Sequence, residues 1–307
     1  MATALNGDLV TLMAMKKVLI TGGGGYLAGQ LIDNFNGAYD VRLVDVVAAD
    51  ATDARPAVEA HDLTNPDITA YESIFEGVDS VVHLAYKNPG GVWGNAVPPL
   101  DRFPFEMDNI QMALNVLRCA HAAGVRRVLI ASSNATTSWT EQNRIHPRKQ
   151  ETIDPEVAPR STTFYGWAKL SYEQIGFIFA NGDIGRKLDV VNMRIGAPRP
   201  VPLSEYNGDL RRFKRDLGAY VSPRDFTQFV VRGIETEDIT DEDGIPFFTG
   251  YAVSDNTRRF WSIGNARRVL DFQPEDDSEV IWADDVHAAF TQDELSPGRV
   301  GHVPPSP

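Results

Sequence analysis

Several features are scarce in this chain, and each scarcity excludes a class of protein. The single cysteine, Cys119, excludes an internal disulfide and a cysteine metal cluster. The 6 histidines show no metal-ligand spacing, so we predict no metal site. No apolar run reaches the roughly 20 residues that a membrane-spanning helix needs. Basic residues number 29 against 42 acidic ones, and a net charge of −13 argues against nucleic acid or an anionic membrane as a partner.

The two ends of the chain are poor in fold-forming patterns. Residues 1–14 lack the basic region and cleavage site of a signal peptide, and we predict a disordered leader there. Residues 296–307 are rich in Pro and Gly, which predicts a flexible tail. With the low cysteine content, these features favour a cytoplasmic protein.

The most informative stretch lies just after the leader. Val18–Ile20 is typical of a buried strand, and Tyr26–Phe35 is typical of a helix. Gly22 and Gly25 lie between these two segments, and Ala28 lies near the start of the helix. Together they have a G-x-x-G-x-x-A spacing. Glycines there allow positive φ and close approach of a pyrophosphate, which the helix N-terminus then faces. A flexible glycine loop is the alternative interpretation.

An acid at the end of the second strand indicates which cofactor this turn binds. The strand Val41–Asp45 ends about 20 residues after the turn, where an acid accepts hydrogen bonds from both adenosine ribose hydroxyls. The same acid would repel a 2′-phosphate, and Val46 follows instead of arginine, so we predict NAD and not NADP. Asp45 could otherwise be a turn residue. Asp62, after a third strand, is expected at the adenine amino group or, equally, in a turn.

Apolar runs and helical patterns alternate along residues 15–196, which predicts an α/β fold with a Rossmann-like doubly wound parallel sheet. We expect this part to bind NAD. Residues 197–295 are expected to alternate short helices and loops in a small C-terminal substrate lobe, interleaved with the first domain. The predicted segments are strands 18–20, 41–45, 57–60, 79–85, 126–133 and 188–196, helices 26–35, 66–75, 106–123 and 162–180, and long loops 86–105 and 134–160, the first of which is expected to line the substrate site.

A tyrosine and a lysine four residues apart carry the predicted chemistry. Tyr165 and Lys169 lie on one face of a helix, and a nearby ammonium lowers a phenol pKa. Tyr165 can then take a hydroxyl proton while the substrate carbon gives up hydride, and Lys169 can also hold the nicotinamide ribose. Ser133, at the end of a neighbouring strand, can orient the substrate oxygen. A helix-surface pair is the alternative.

Together these residues resemble the extended short-chain dehydrogenases/reductases of the NAD-dependent epimerase/dehydratase superfamily. The resemblance covers residues 16–196 and also includes His83-Leu84-Ala85 and Asn109, which in that family supports the active site through a backbone or water contact. It implies a catalytic set of Ser133, Tyr165, Lys169 and Asn109. The residues assigned to the cofactor are Gly22, Gly25, Tyr26, Leu27, Asp45, Asp62, Leu63, Leu84, Ala85, Lys169 and Ile195.

A narrower resemblance, to uronate dehydrogenases and related sugar dehydrogenases, covers nearly the whole chain. It is carried by Ser132-Ser133-Asn134, Arg194-Ile195-Gly196, Arg215 five residues before Tyr220-Val221-Ser222, and Ser254-Asp255-Asn256. It implies that Arg215 grips an anionic group of the substrate, although a solvated basic cluster is the alternative. The residues assigned to the substrate are Asn88, Trp93, Ser133, Asn134, Tyr165 and Arg215. Ala135 and Ala197 depart from the family pattern, which puts uronate specificity in doubt.

The resemblance implies oxidation of the C1 hemiacetal of a sugar or sugar acid to the lactone, with NAD as cofactor. A nucleotide-sugar epimerase of the same fold is the second hypothesis, and a non-catalytic NAD-sensing protein is the third. The resemblance also implies a homodimer that pairs helix 106–123 with helix 162–180.

Overall fold

A computed structural model describes residues 15–90 and 97–291. Within these ranges the strands are β1 (Lys17–Thr21), β2 (Asp40–Asp45), β3 (Val58–Ala60), β4 (Ser80–His83), β5 (Arg127–Ser133), β6 (Asp189–Ile195) and β7 (Phe247–Ala252). They form one parallel sheet in the order β3-β2-β1-β4-β5-β6-β7. This confirms the predicted Rossmann-like, doubly wound α/β fold.

Helices cover both faces of the sheet. They are α1 (Tyr26–Phe35), α2 (Phe103–Ala122), α3 (Ser138–Thr140), α4 (Phe164–Asn181), α5 (Leu210–Ala219), α6 (Pro223–Glu235), α7 (Gly264–Leu270), α8 (Ser278–Ile281) and α9 (Ala283–Thr291). Short 3₁₀ or π turns fill several connections: Ile68–Ala70, Glu72–Phe75, Leu100–Arg102, Asn134–Thr137, Glu141–Ile145 and Leu203–Tyr206.

Alternation along the strands divides the core into two layers. Val18 and Ile20 of β1 pack in the layer that contains α1 and α6, whereas Leu19 packs in the layer that contains α2 and α4. Successive side chains of a strand point to opposite faces, so a run that is apolar throughout is buried on both sides. Helix α4, which carries Tyr165 and Lys169, therefore packs directly against the sheet.

Three segments predicted before residue 197 differ from the structure. The predicted loop 134–160 begins with a 3₁₀ turn, the short helix α3 and a π turn, which together fill residues 134–145. The predicted helix 66–75 is two 3₁₀ turns, because Tyr71 between them has φ −150° and ψ 0°, which is not helical. The predicted loop 86–105 ends early, since α2 begins at Phe103 with Pro104 in its first turn. Proline is well suited to that position because its missing N–H would have had no helical partner.

The prediction of only short helices and loops after residue 197 is wrong in one respect. Residues 247–252 form β7, which pairs in parallel with β6. A separate apolar cluster of Val201, Phe213, Leu217 and Tyr220 lies nearby in the same part of the chain. The domain boundary at residue 196 stays a prediction, and the leader 1–14 and the tail 296–307 lie outside the described residues.

Candidate active site

A cavity of about 350 Å³ opens at the carboxyl ends of β1 and β4. The chain leaves these neighbouring strands in opposite directions across the sheet, and ligands of open parallel sheets bind at such a point. Seven of the residues predicted to bind the cofactor line it: Gly22, Gly25, Asp45, Asp62, Leu63, Leu84 and Ala85. The other four, Tyr26, Leu27, Lys169 and Ile195, are not among its lining residues.

The glycine turn is built for close backbone approach. Gly22 has φ +74°, and a Cβ on it would lie 2.8 Å from the backbone nitrogen of Ala85. The Gly24 nitrogen donates a 3.0 Å hydrogen bond to Oδ2 of Asp45, whose Oδ1 accepts one from Val46. The acid is thus held beside the turn, facing the start of α1, where backbone N–H groups are available to a pyrophosphate. These residues suit the phosphates and adenosine ribose of a dinucleotide.

Asp62 lines the cavity and also shapes a turn. Its Oδ1 accepts hydrogen bonds from the backbone nitrogen and the hydroxyl of Thr64, at 2.9 and 2.6 Å. Both interpretations of this residue are therefore compatible with its position, because Oδ2 is not used by that turn.

Ser133, Tyr165 and Lys169 meet next to this cavity. The Ser133 hydroxyl lies close enough to the Tyr165 phenol to affect its pKa, and the Lys169 ammonium lies 5.7 Å from the Tyr165 ring centroid. Lys169 is 4% exposed, and its Nζ donates a 2.9 Å hydrogen bond to the Ala131 carbonyl of β5. The helical spacing predicted from the sequence thus brings a phenol, a hydroxyl and an ammonium together.

The pKa of Tyr165 is raised, which corrects the expected direction. Burial raises the pKa of Tyr165, and the nearby Ser133 hydroxyl offsets this only in part. Burial also lowers the pKa of Lys169 to about 7, so near neutral pH the amine carries only part of a full charge. The lysine therefore does little, in this arrangement, to favour the phenolate.

The asparagines predicted near the reaction centre lie around this set. Asn109 is fully buried and makes two hydrogen bonds with the backbone of Lys87, at 2.7 and 3.1 Å. Asn134 is 5% exposed, and its Nδ2 has no hydrogen-bond partner among the described residues. Asn88 accepts a hydrogen bond from Gly90 in the segment after β4. Trp93 lies outside the described residues.

Arg215 is already held by two carboxylates. Its Nε and Nη2 donate to the two oxygens of Glu141 at 2.8 and 3.2 Å, and its Nη1 donates to Asp216 at 3.0 Å. Burial alone would raise the pKa of Glu141, but Arg215 and His146 lower it to about 2. Arg199 donates to the other oxygen of Asp216 at 2.9 Å. The predicted anion clamp thus already has two carboxylate partners within the protein.

A comparison with known proteins identifies the family. The model of the NAD dependent epimerase/dehydratase family matches residues 18–197, more than half of the chain. The chain belongs to this family. Its cofactor is accordingly NAD, in agreement with the position of Asp45.

Members of this family with named activities match nearly the whole chain. An NAD-dependent glucose-6-phosphate dehydrogenase of Haloferax volcanii is 27% identical over 86% of this chain and 94% of its own. A uronate dehydrogenase of Pseudomonas syringae pv. tomato is 30% identical over 87% of this chain and 84% of its own. The crystal structure of uronate dehydrogenase from Agrobacterium tumefaciens has the same fold, with a TM-score of 0.70, 22% identity and 93% of each chain covered. The chain is thus a family member that resembles uronate dehydrogenase.

The sequence patterns did not identify two further residues that lie close to Tyr165 and Lys169. Tyr86 lines the cavity, and Glu106 on α2 is fully buried. Each had a signal: Tyr86 directly follows the predicted cofactor residues, and Glu106 precedes Asn109 by three residues, on the same helix face. A buried acid on that face indicates a specific partner, because carboxylates are rarely buried unless paired.

Proposed function

We propose that this protein is an NAD-dependent oxidoreductase that oxidises the C1 hemiacetal of a sugar to the corresponding lactone. The observation that carries the proposal is the meeting of Ser133, Tyr165 and Lys169 beside the NAD cavity. The names of the relatives support it, since both describe NAD-linked or sugar-acid dehydrogenases.

In the proposed reaction the C1–H bond breaks as hydride and the O1–H bond breaks as a proton, which leaves a C1=O double bond. NAD, when bound, supplies the hydride acceptor and a positive charge that favours a nearby phenolate. Tyr165 receives the O1 proton, and Ser133 holds O1 through its hydroxyl. The two N–H groups of the Lys169 ammonium that do not bond Ala131 are available to sugar hydroxyls.

The charges near Arg215 favour a neutral sugar over a uronate. Two carboxylates, Glu141 and Asp216, bond Arg215 directly, and Arg199 and, at 3.9 Å, Arg212 also pair with Asp216. If Arg215 contacts the substrate, a further carboxylate there would compete with the two carboxylates that already neutralise its guanidinium. A hydroxyl group would bind without adding charge.

We also propose a cytoplasmic homodimer. Apolar side chains stay exposed on the outer faces of α2 and α4: Phe103 (41%), Met107 (44%), Trp167 (39%) and Ile178 (50%). A second copy of these two helices would cover them, and sedimentation analysis would test this. Among the described residues no helix is long and apolar enough to cross a membrane.

The decisive experiment mixes the pure protein with NAD and a panel of neutral aldoses, uronic acids and sugar phosphates, and follows NADH formation. Tyr165→Phe is expected to abolish the reaction. Tyr39→Phe is the matched control, since Tyr39 is also buried and hydrogen-bonded, to Glu235, but directly precedes β2 at the amino ends of the strands, whereas the candidate site lies at their carboxyl ends. An absence of NADH with every sugar, while NAD binds tightly, would contradict the proposal and favour an epimerase. Reversible NAD binding without chemistry would favour the sensor.

A further inference from the structure

Tyr86 is packed against both members of the reacting pair. Its ring meets the Tyr165 ring edge-on, with centroids 5.4 Å apart and an interplanar angle of 88°. Its ring centroid also lies 5.1 Å from the Lys169 ammonium, closer than that of Tyr165 at 5.7 Å. Such edge-to-face and cation–π contacts each contribute on the order of 1 kcal/mol and fix relative orientation.

Glu106 in turn fixes Tyr86. The Tyr86 hydroxyl donates a 2.8 Å hydrogen bond to Glu106 Oε1, and Arg102 lies 3.6 Å from the same oxygen and 3.5 Å from the Tyr86 hydroxyl. Glu106 is fully buried, and among the described residues its Oε2 has no hydrogen-bond partner. A buried carboxylate with one unpaired oxygen costs stability, so its presence beside the reacting pair calls for a role.

We propose that Glu106 and Tyr86 are positioning residues for Tyr165 and Lys169: Glu106 holds the Tyr86 hydroxyl, and the Tyr86 ring holds the phenol and the ammonium in their relative places. The inference rests on the proposed function for the roles of Tyr165 and Lys169, and extends it to two residues that neither the family match nor the relatives assign.

The carboxylate has a second, electrostatic effect on the same pair. Its negative charge raises the pKa of Lys169, in opposition to burial, and also raises the pKa of Tyr165. Among the described residues, the other charged or titratable groups around the pair are Arg102 of the 3₁₀ turn before α2, Tyr172 of α4 and His83 of β4. Burial keeps His83 neutral, with a pKa lowered to about 3, so it adds no charge near neutral pH. Within the described part of the chain, Glu106 is therefore the negative charge that supports the Lys169 ammonium.

The experiment compares the titration of Lys169 by NMR, with lysines isotope-labelled at Cε, in the wild-type protein and in Glu106→Gln. The glutamine keeps an oxygen for the Tyr86 hydroxyl but removes the charge, and Lys169→Met identifies the resonance. We expect Lys169 to titrate at a pH lower by about half a unit or more in Glu106→Gln. An unchanged titration would overturn the electrostatic part of the inference.

The positioning part is tested by Tyr86→Phe, which keeps the ring and removes the hydroxyl that Glu106 holds. With an active sugar, we expect kcat to fall several-fold with KM for the sugar little changed, and the acid limb of its pH profile to move less than in Glu106→Gln. Tyr39→Phe is again the control and should keep the wild-type kcat and profile. Wild-type kcat in a folded Tyr86→Phe would overturn the positioning role. If the wild-type protein oxidised no sugar, the proposed function would fail, whereas the lysine titration would still decide the electrostatic part of the inference.

Discussion

The buried ion pair between Arg194 and Glu173 offers the sharpest test of how the active-site helix is held. Arg194 on β6 donates through Nε and Nη2 to the two oxygens of Glu173 on α4, at 2.9 and 2.8 Å. The side chains are 3% and 4% exposed. Ser132 at the end of β5 also donates to Glu173, at 2.6 Å. This cluster joins two strand ends to the helix that carries Tyr165.

Replacing Arg194 with methionine leaves the Glu173 carboxylate buried beside one hydroxyl donor. Breaking a buried pair in this way costs about 3–5 kcal/mol of the free energy of unfolding, because the remaining charge has lost its partner. The combined variant Arg194→Met with Glu173→Leu removes the orphaned charge. We therefore expect it to be more stable than Arg194→Met alone, although the hydroxyl of Ser132 then loses its acceptor, at about 1–3 kcal/mol.

Urea denaturation at neutral pH measures these differences. The control is Arg232→Met, which breaks a 3.0 Å ion pair with Asp271 whose side chains are 45% and 67% exposed. Exposed pairs contribute about 0–1 kcal/mol. The reasoning is refuted if Arg194→Met costs no more than the control, or if the double variant is less stable than the single one.

Three further predictions concern the cofactor, the substrate and pH. Gly22→Ala is expected to weaken NAD binding at least tenfold in a titration, because its Cβ would lie 2.8 Å from the backbone after β4. The control Gly37→Ala has the same φ of +74°, but its Cβ would have no atom within 4 Å, so it should bind NAD normally. Glu141→Gln is expected to raise the ratio of kcat/KM for a uronate to that for the neutral sugar, since it unbalances the charge on Arg215; an unchanged ratio in steady-state assays would argue against a substrate contact there. The pKa of Lys169 falls from 10.5 to about 7 on folding, so the unfolded chain binds more protons between these two pH values. The wild-type free energy of unfolding should therefore rise with pH in this window, by at most about 1.4 kcal/mol per pH unit. Urea denaturation of the wild-type protein and of Lys169→Met measures this difference.

Local patterns predicted the parts of the fold whose signals are local. Helix α1 has the predicted bounds, and the signals that start α6 are equally local: Ser222 caps it through the Asp225 nitrogen, with Pro223 in the first turn. Strands β1 to β6 were found because each is a short apolar run between turn signals. The strand β7 was missed because Phe247–Ala252 contains Thr249 and Gly250 and is defined by its pairing with β6, which is a tertiary event.

In the candidate site too, local patterns predicted one part and tertiary contacts determined the rest. The motif spacing predicted that Ser133, Tyr165 and Lys169 meet, and they do, since strand ends and helix faces follow from periodicity. The pKa direction of Tyr165 could not be predicted, because burial from several elements outweighs one neighbouring charge. The partners of Arg215 were equally hidden, since Glu141 lies far along the chain in a segment without regular pattern.

The late arrival of β7 also bears on how the chain assembles during synthesis. Residues 196–246 separate β6 from its outer neighbour, so a nascent chain presents β6 with one unpaired edge until those residues have left the ribosome. Open edges recruit other chains, and domains that close through distant contacts fold slowly and are prone to aggregate. Premature termination between β6 and β7 would leave that edge permanently open. Chaperone demand during expression should therefore last through this interval of translation.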